Sequence, residues 1–180
     1  MNKNKAMAWF IIIIMVLSVA GFVGSSFFAP QDITKKEYNG YPFLEQSGQW
    51  QVKINTQNYV FQNYPLELEN LSSPDIPPFS SSRVYLGFIP NDTVIAGPQV
   101  QFLASIMSQN GIYPQQACVI EQGCPDIPLV NCANPTIIMR SGVKNTFSTE
   151  NNCTTLQAPD NVELQKMTER LIYKFLGVMN

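Results

Sequence analysis

The sequence predicts a two-layer α/β or α+β domain with a mixed β-sheet, preceded by one N-terminal transmembrane helix. Three observations carry this. Short alternating or continuously apolar segments recur from position 50 onward, two further segments repeat apolar residues at helical spacing, and residues 6–29 contain no charge. At 180 residues the chain has room for one ordinary core plus an appendage.

The appendage comes first. The run AMAWFIIIIMVLSVAGFVGSSFFA (6–29) rises about 1.5 Å per residue as a helix, enough to cross a hydrocarbon layer of about 30 Å. A cleaved signal peptide has a shorter apolar region, about 7–15 residues, followed by a small-x-small site. The exit SSFFAPQ offers no such site, so the run is expected to remain as a signal anchor. Lys3 and Lys5 precede it, while Asp32, Lys35, Lys36 and Glu37 cancel beyond it. The positive-inside bias therefore places residues 1–5 in the cytoplasm and the rest of the chain outside the cell membrane. Trp9, Phe27 and Phe28 sit where aromatic rings favour the interface. Ala20 with Gly24, and Gly21 with Ser25, form small-xxx-small pairs that permit self-association through the anchor.

Residues 30–40 are polar and are expected to form a tether, leaving 41–180 as the extracytoplasmic domain. In WQVKINTQNYVFQNY, Val52 and Ile54 alternate with polar neighbours, as do Tyr59 and Phe61 beyond the turn, which reads as a β-hairpin. The Pro- and Ser-rich stretch 71–82 is a surface connection. RVYLGFI (83–89) is a continuously apolar strand of the kind buried on both faces. A helix follows with Val100, Leu103, Ile106 and Met107 on one face, Pro98 in its first turn and Asn110-Gly111 as a stop. A strand around QACVI completes a βαβ unit. PTIIMR and NCTTLQ are expected as two strands joined around SGVKN. The C-terminal helix opens with Asp160 and Glu163 in a capping-box spacing. It carries a stripe of Leu164, Met167, Leu171, Phe175 and Val178, and stops at Gly177.

The cysteines are the strongest local signal. Cys118, Cys124, Cys132 and Cys153 are even in number, and an outward domain lies where disulfides persist. Zinc sites need four nitrogen or sulfur ligands, usually in close pairs. Here five, seven and twenty residues intervene, and the chain has no histidine. The C-x-x-C spacing of redox centres is also absent. Of three connectivities, Cys118 with Cys124 and Cys132 with Cys153 are favoured: the first closes a short loop around VIEQG, and the second ties two strand segments together. A loop of about twenty residues contributes roughly 3 kcal/mol in the chain-entropy view.

Without histidine, Ser-His-Asp and Cys-His catalysis and histidine-bound metals are excluded. A net charge of −2, a pI near 5.1 and no basic run beyond Lys35-Lys36 argue against a nucleic-acid partner. No metal or cofactor is expected. Glu67 and Glu69 fall on one side of an extended segment, where they could bind a cation or act as acid and base, but with nothing else converging on them they are read as a solvated strand edge or turn. The loop IPNDTVIAGPQ lies at a strand's carboxyl end and a helix start, where α/β proteins often bind ligands, which makes Asn91, Asp92 and Thr93 candidate pocket residues. Asn70, Asn91 and Asn152 head glycosylation sequons, whereas that at Asn134 is blocked by proline.

Several stretches together resemble a group of small membrane-anchored archaeal proteins: IIMVLSVAGF, YNGYPF, YVFQNYPLELENL, CPDIPLVNC and ERLIYKFLGVM. This resemblance implies an anchored outward domain and no particular activity. NKNKAMAWFIIIIMVLSVAG is also similar to type IV pilin-like leaders, with cleavage implied near Ala6 and Met7. The expectation is therefore a single-pass, non-enzymatic extracytoplasmic protein that binds another envelope component or stabilises a complex. The alternatives are a pilin-like filament subunit and, third, a thiol redox protein or other extracytoplasmic enzyme.

Overall fold

The computed structural model describes residues 7, 9–18, 34–72, 83–94 and 96–180. The chain divides into two units, residues 1–34 and 35–180. In the first, residues 9–18 are helical, and the apolar side chains from Trp9 to Leu17 are all at least 49% exposed. Among the described residues no helix is long and apolar enough to cross a membrane. Residues 6, 8 and 19–29 of the expected span lie outside the described residues.

The second unit begins with an antiparallel sheet of four consecutive strands: β1 (Thr34–Tyr38), β2 (Tyr41–Gln46), β3 (Gln49–Ile54) and β4 (Gln57–Phe61). Asn39-Gly40 and Ser47-Gly48 each take positive φ at both positions, as two-residue turns that follow the strand twist require. The expected hairpin is β3–β4, with Trp50 opposite Phe61 and Val52 opposite Tyr59. Its two companions were not expected. Residues 34–38, read as tether, are instead packed onto the sheet: Lys36 Nζ lies 4.8 Å from the centre of the Trp50 ring, and Tyr64 Oη donates to the Glu37 carbonyl at 2.9 Å.

The rest forms a five-stranded mixed sheet and two helices: β5 (Arg83–Phe88), α1 (Gly97–Gln109), β6 (Tyr113–Cys118), β7 (Thr136–Ser141), β8 (Thr146–Glu150), β9 (Cys153–Ala158) and α2 (Asn161–Phe175). The spatial order is β6-β5-β7-β9-β8, parallel except for β8, which runs antiparallel to β9. This corrects the expected pairing of PTIIMR with NCTTLQ through a simple connection. TFSTE (146–150) is a strand of its own and takes the hairpin position beside β9, while β7 lies parallel on β9's other side.

Both helices are sandwiched. Phe102 of α1 meets Phe61 edge to face at 6.0 Å, and Tyr173 of α2 meets Phe61 at 4.1 Å and Phe43 at 6.0 Å. On their other side they share a core with Val84, Leu86, Ile137, Met139 and Leu156 of the mixed sheet. The domain is α+β with a mixed sheet and an antiparallel sheet. It has three layers, not the expected two, because the N-terminal strands build a second sheet.

This explains α2. Leu164, Met167, Leu171 and Val178 are buried as the stripe requires, but so are Thr168, Glu169, Arg170, Ile172 and Tyr173, since the helix has a sheet on each side. Asp160 caps it by accepting from Glu163 N at 2.8 Å. Glu163 does not complete the box; its carboxylate bonds Lys166 Nζ at 2.6 Å and Asn145 Nδ2. In α1, Val100, Leu103, Ile106 and Met107 are buried, and Asn110 and Gly111 end the helix as expected.

Candidate functional site

The helices cover one face of the mixed sheet, and strand alternation decides what the other face carries. Leu86, Ile137, Met139 and Leu156 point to the helices, so Gly87, Ile138, Arg140, Thr155 and Gln157 point away, with Ser148 and Glu150 in register on β8. Among the described residues of this unit, no helix lies on this outer face.

Part of it is covered by the cysteine-rich connection 119–135. Both favoured pairings are formed, Cys118–Cys124 and Cys132–Cys153, and no described cysteine is free. Cys118 N donates to the Pro128 carbonyl and Val130 N to the Cys118 carbonyl, each at 2.9 Å, so the connection folds back along β6. It lies flat on the sheet at Gly87. A Cβ there would stand 3.2–3.3 Å from Ile138, Val119 and Val130 side chains, which converge over the missing side chain.

Beyond this strap the face stays open as a groove of about 680 Å³. Val119 and Ile138 form an apolar flank, the Cys132–Cys153 bridge a wall, and Ser148, Thr155, Arg140 and Glu150 the polar lining. Arg140 is held in place: with its amide oxygen turned to the guanidinium, Gln157 accepts from Nε at 2.7 Å and from Nη2. A smaller hollow of about 170 Å³ lies on the same face, between Tyr85, Thr136 and the strap residues 128–131.

A third hollow, of about 410 Å³, lies beside β4, lined by Phe102, Gln99, Gln165 and Glu169. Glu169 there is structural. Its Oε1 accepts from Gln62 N at 2.9 Å, and its Oε2 from Asn63 N at 2.9 Å and Asn63 Nδ2 at 2.8 Å. Tyr173 Oη donates to the Asn63 carbonyl at 2.9 Å, and burial pushes its phenol far above the usual range.

The sequence-predicted residues are placed as follows. Asn91, Asp92 and Thr93 sit together at the carboxyl ends of β5 and β7, engaged with the protein itself. Asp92 Oδ2 accepts from Ser141 N and Oδ1 from Thr93 N, each at 2.7 Å. Burial pushes the Asp92 carboxyl up, but these hydrogen bonds outweigh it and hold the group below the usual carboxylate range. Asn91 has φ +60° and rests against Gly123. Asn70 and Asn91 are exposed, as is Asn152, whose Nδ2 donates to the Ala133 carbonyl at 3.2 Å. Of the two expected settings, strand edge or turn, Glu67 and Glu69 take the turn: they belong to a 3₁₀ turn and its end, where Glu67 accepts from Tyr64 N and Glu69 from Tyr38 Oη. Among the described residues no three acidic or cysteine side chains gather to hold a metal.

Sequence reasoning missed Arg140, Gln157, Ser148, Thr155 and Glu150. The available signal was faint: Thr155 and Gln157 flank Leu156 in CTTLQ, as one strand face requires, but Thr154 breaks the alternation and Arg140 only closes the apolar run IIM. Comparison of the chain with protein-family models, curated proteins and solved structures finds no match.

Proposed function

We propose that this chain is a single-pass membrane protein whose stapled outward domain is a non-enzymatic binding unit of an envelope complex, with the open face of the mixed sheet as its contact surface. The observation that carries this reading is the fixed guanidinium of Arg140 in a polar groove on the sheet face opposite the two helices. Two disulfides suit an oxidising compartment, and the uncharged run 6–29 supplies the anchor.

A photoactivatable residue in place of Ser148, in the full-length protein in its native membrane, tests this. The expected result is one discrete adduct that disappears when Arg140 is changed to Glu, while the same probe at exposed Gln101 gives none. Equal labelling at both positions, or no adduct at Ser148, removes the assignment.

A second reading is a pilin-like filament subunit. Apolar side chains exposed all round the helical stretch 9–18 favour it, since such a helix can be covered by copies of itself as well as by lipid. Intact mass separates the two: loss of the first six residues supports the filament, and a full-length mass supports the anchor.

A further inference from the structure

The strand register fixes how the charges of the groove are spaced. Arg140 lies beside Gln157 on β9, and Glu150 beside Cys153, so the two are four residues apart along the strand direction. That is about 13 Å at about 3.3 Å per residue, and they also stand two strand spacings apart, about 10 Å. The Cα positions of Arg140 and Glu150 are therefore about 16 Å from each other on a diagonal, equal to about five residues of extended chain. Midway, Thr155 of β9 faces Ser148 of β8 directly, a pair of hydroxyls able to donate and accept.

We infer that the groove takes an extended, dipolar peptide segment, with a carboxylate against Arg140 and a basic side chain against Glu150 about five residues away. This rests on the open face being the contact surface. Gln157 occupies the Nε edge of the guanidinium and fixes its plane, which leaves Nη1 for a carboxylate at no further ordering cost. Glu150 is exposed at the opposite corner and repels polyanions, so phosphate-rich ligands fit poorly. The hydroxyl pair meets the peptide backbone, and Ile138 with Val119 offers an apolar strip to one side chain.

The test uses the full-length protein in lipid nanodiscs and end-blocked, fluorescent twelve-residue peptides in a Ser/Thr/Val host. Each carries one Glu and one Lys, separated by two to eight positions. Anisotropy should show tightest binding at a separation of four to five. Arg140→Glu or Glu150→Lys should each weaken that peptide about tenfold, and the double reversal should restore it, since a dipolar ligand can then bind end for end. Glu150 is exposed, so its variant keeps the experiment decisive if Arg140→Glu fails to fold. Affinity flat across separations, or no rescue by the double reversal, overturns the inference. A Ser148 adduct together with a flat peptide series removes the dipolar ligand and keeps the contact surface. Loss of both removes both.

Discussion

Glu169→Gln tests how the central helix holds the antiparallel sheet. Glu169 is 1% exposed and receives the two consecutive backbone N–H groups that follow β4, together with the Asn63 amide. A glutamine has one oxygen for this work. If that oxygen faces Asn63, its NH₂ is aimed at the Gln62 N–H, and a donor meets a donor. One charge-assisted bond is lost, worth about 1.5–3 kcal/mol, and one buried donor is orphaned at about 1–3 kcal/mol. Part of this is the same loss counted from both sides, so the expected destabilisation is about 3 kcal/mol. For a domain of this size that lowers the melting temperature by about 9 °C. Urea unfolding of the full chain in detergent, followed by Trp50 fluorescence in a Trp9→Phe background, reads it out, because Trp50 is buried in β3. Hydrogen exchange should quicken at Gln62 and Asn63 first. A change below about 0.5 kcal/mol, with both amides still protected, would refute the reasoning.

Three further outcomes are expected. Asp92→Asn leaves one acceptor for Ser141 and Thr93. Because the folded pKa of Asp92 lies below its unfolded value, its contribution is present above the unfolded value and is lost as pH falls through the folded one. The stability gap to the wild type should therefore be open at about pH 7 and narrow as the pH falls below the unfolded value, as urea midpoints along an acid series will show. Replacing Cys132 and Cys153 together by Ser should cost about 3 kcal/mol, against about 2 kcal/mol for Cys118 and Cys124, since the longer loop loses more closure entropy; paired denaturation curves check the order. Gly87→Ala should cost about 1 kcal/mol and lift the strap, seen as faster exchange at Val119 N, whose bond to the Phe88 carbonyl is 3.0 Å.

The legible parts of this fold are those whose signal is local. Pro98 and Asn110-Gly111 bracket α1, Asp160 and Gly177 bracket α2, and VYLGF (84–88), beyond the exposed Arg83, is a continuous apolar run because it sits centrally in a sheet, covered on one side by helices and on the other by the strap. The disulfide pairing was legible because the short loop closes on itself and leaves one partner for the other two cysteines. What stayed hidden is relational. Asn39-Gly40 is a strong hairpin signal, yet the polar sequence before it, TKKEY, reads as a tether; it is a strand by pairing with β2, with Lys36 laid over Trp50 and Tyr64. TFSTE is too polar to announce a strand and forms one because it lies on an edge, with Phe147 alone turned to the core. Arg140 and Glu150 are ten positions apart in sequence. Their common groove exists only because β8 turns back along β9, and no local pattern states that.

The sandwich also decides where a partner can be met. Two sheets closing on one pair of helices consume both inner faces and most of the circumference of α2, which is why a helix with Glu, Arg and Thr in its middle is buried there. Among the described residues of this unit there is no third helix to cover the outer face of the mixed sheet. The chain supplies a seventeen-residue connection with little regular structure, which cannot hold itself on a sheet by helical packing. The two disulfides do that work: Cys118–Cys124 fixes its start at the end of β6, and Cys132–Cys153 fixes its end to β9. The second bridge is at once a staple and a wall of the groove. Reduction of that bridge should therefore weaken whatever the groove binds before it unfolds the domain, because the helices and both sheets keep their core without it while the wall does not.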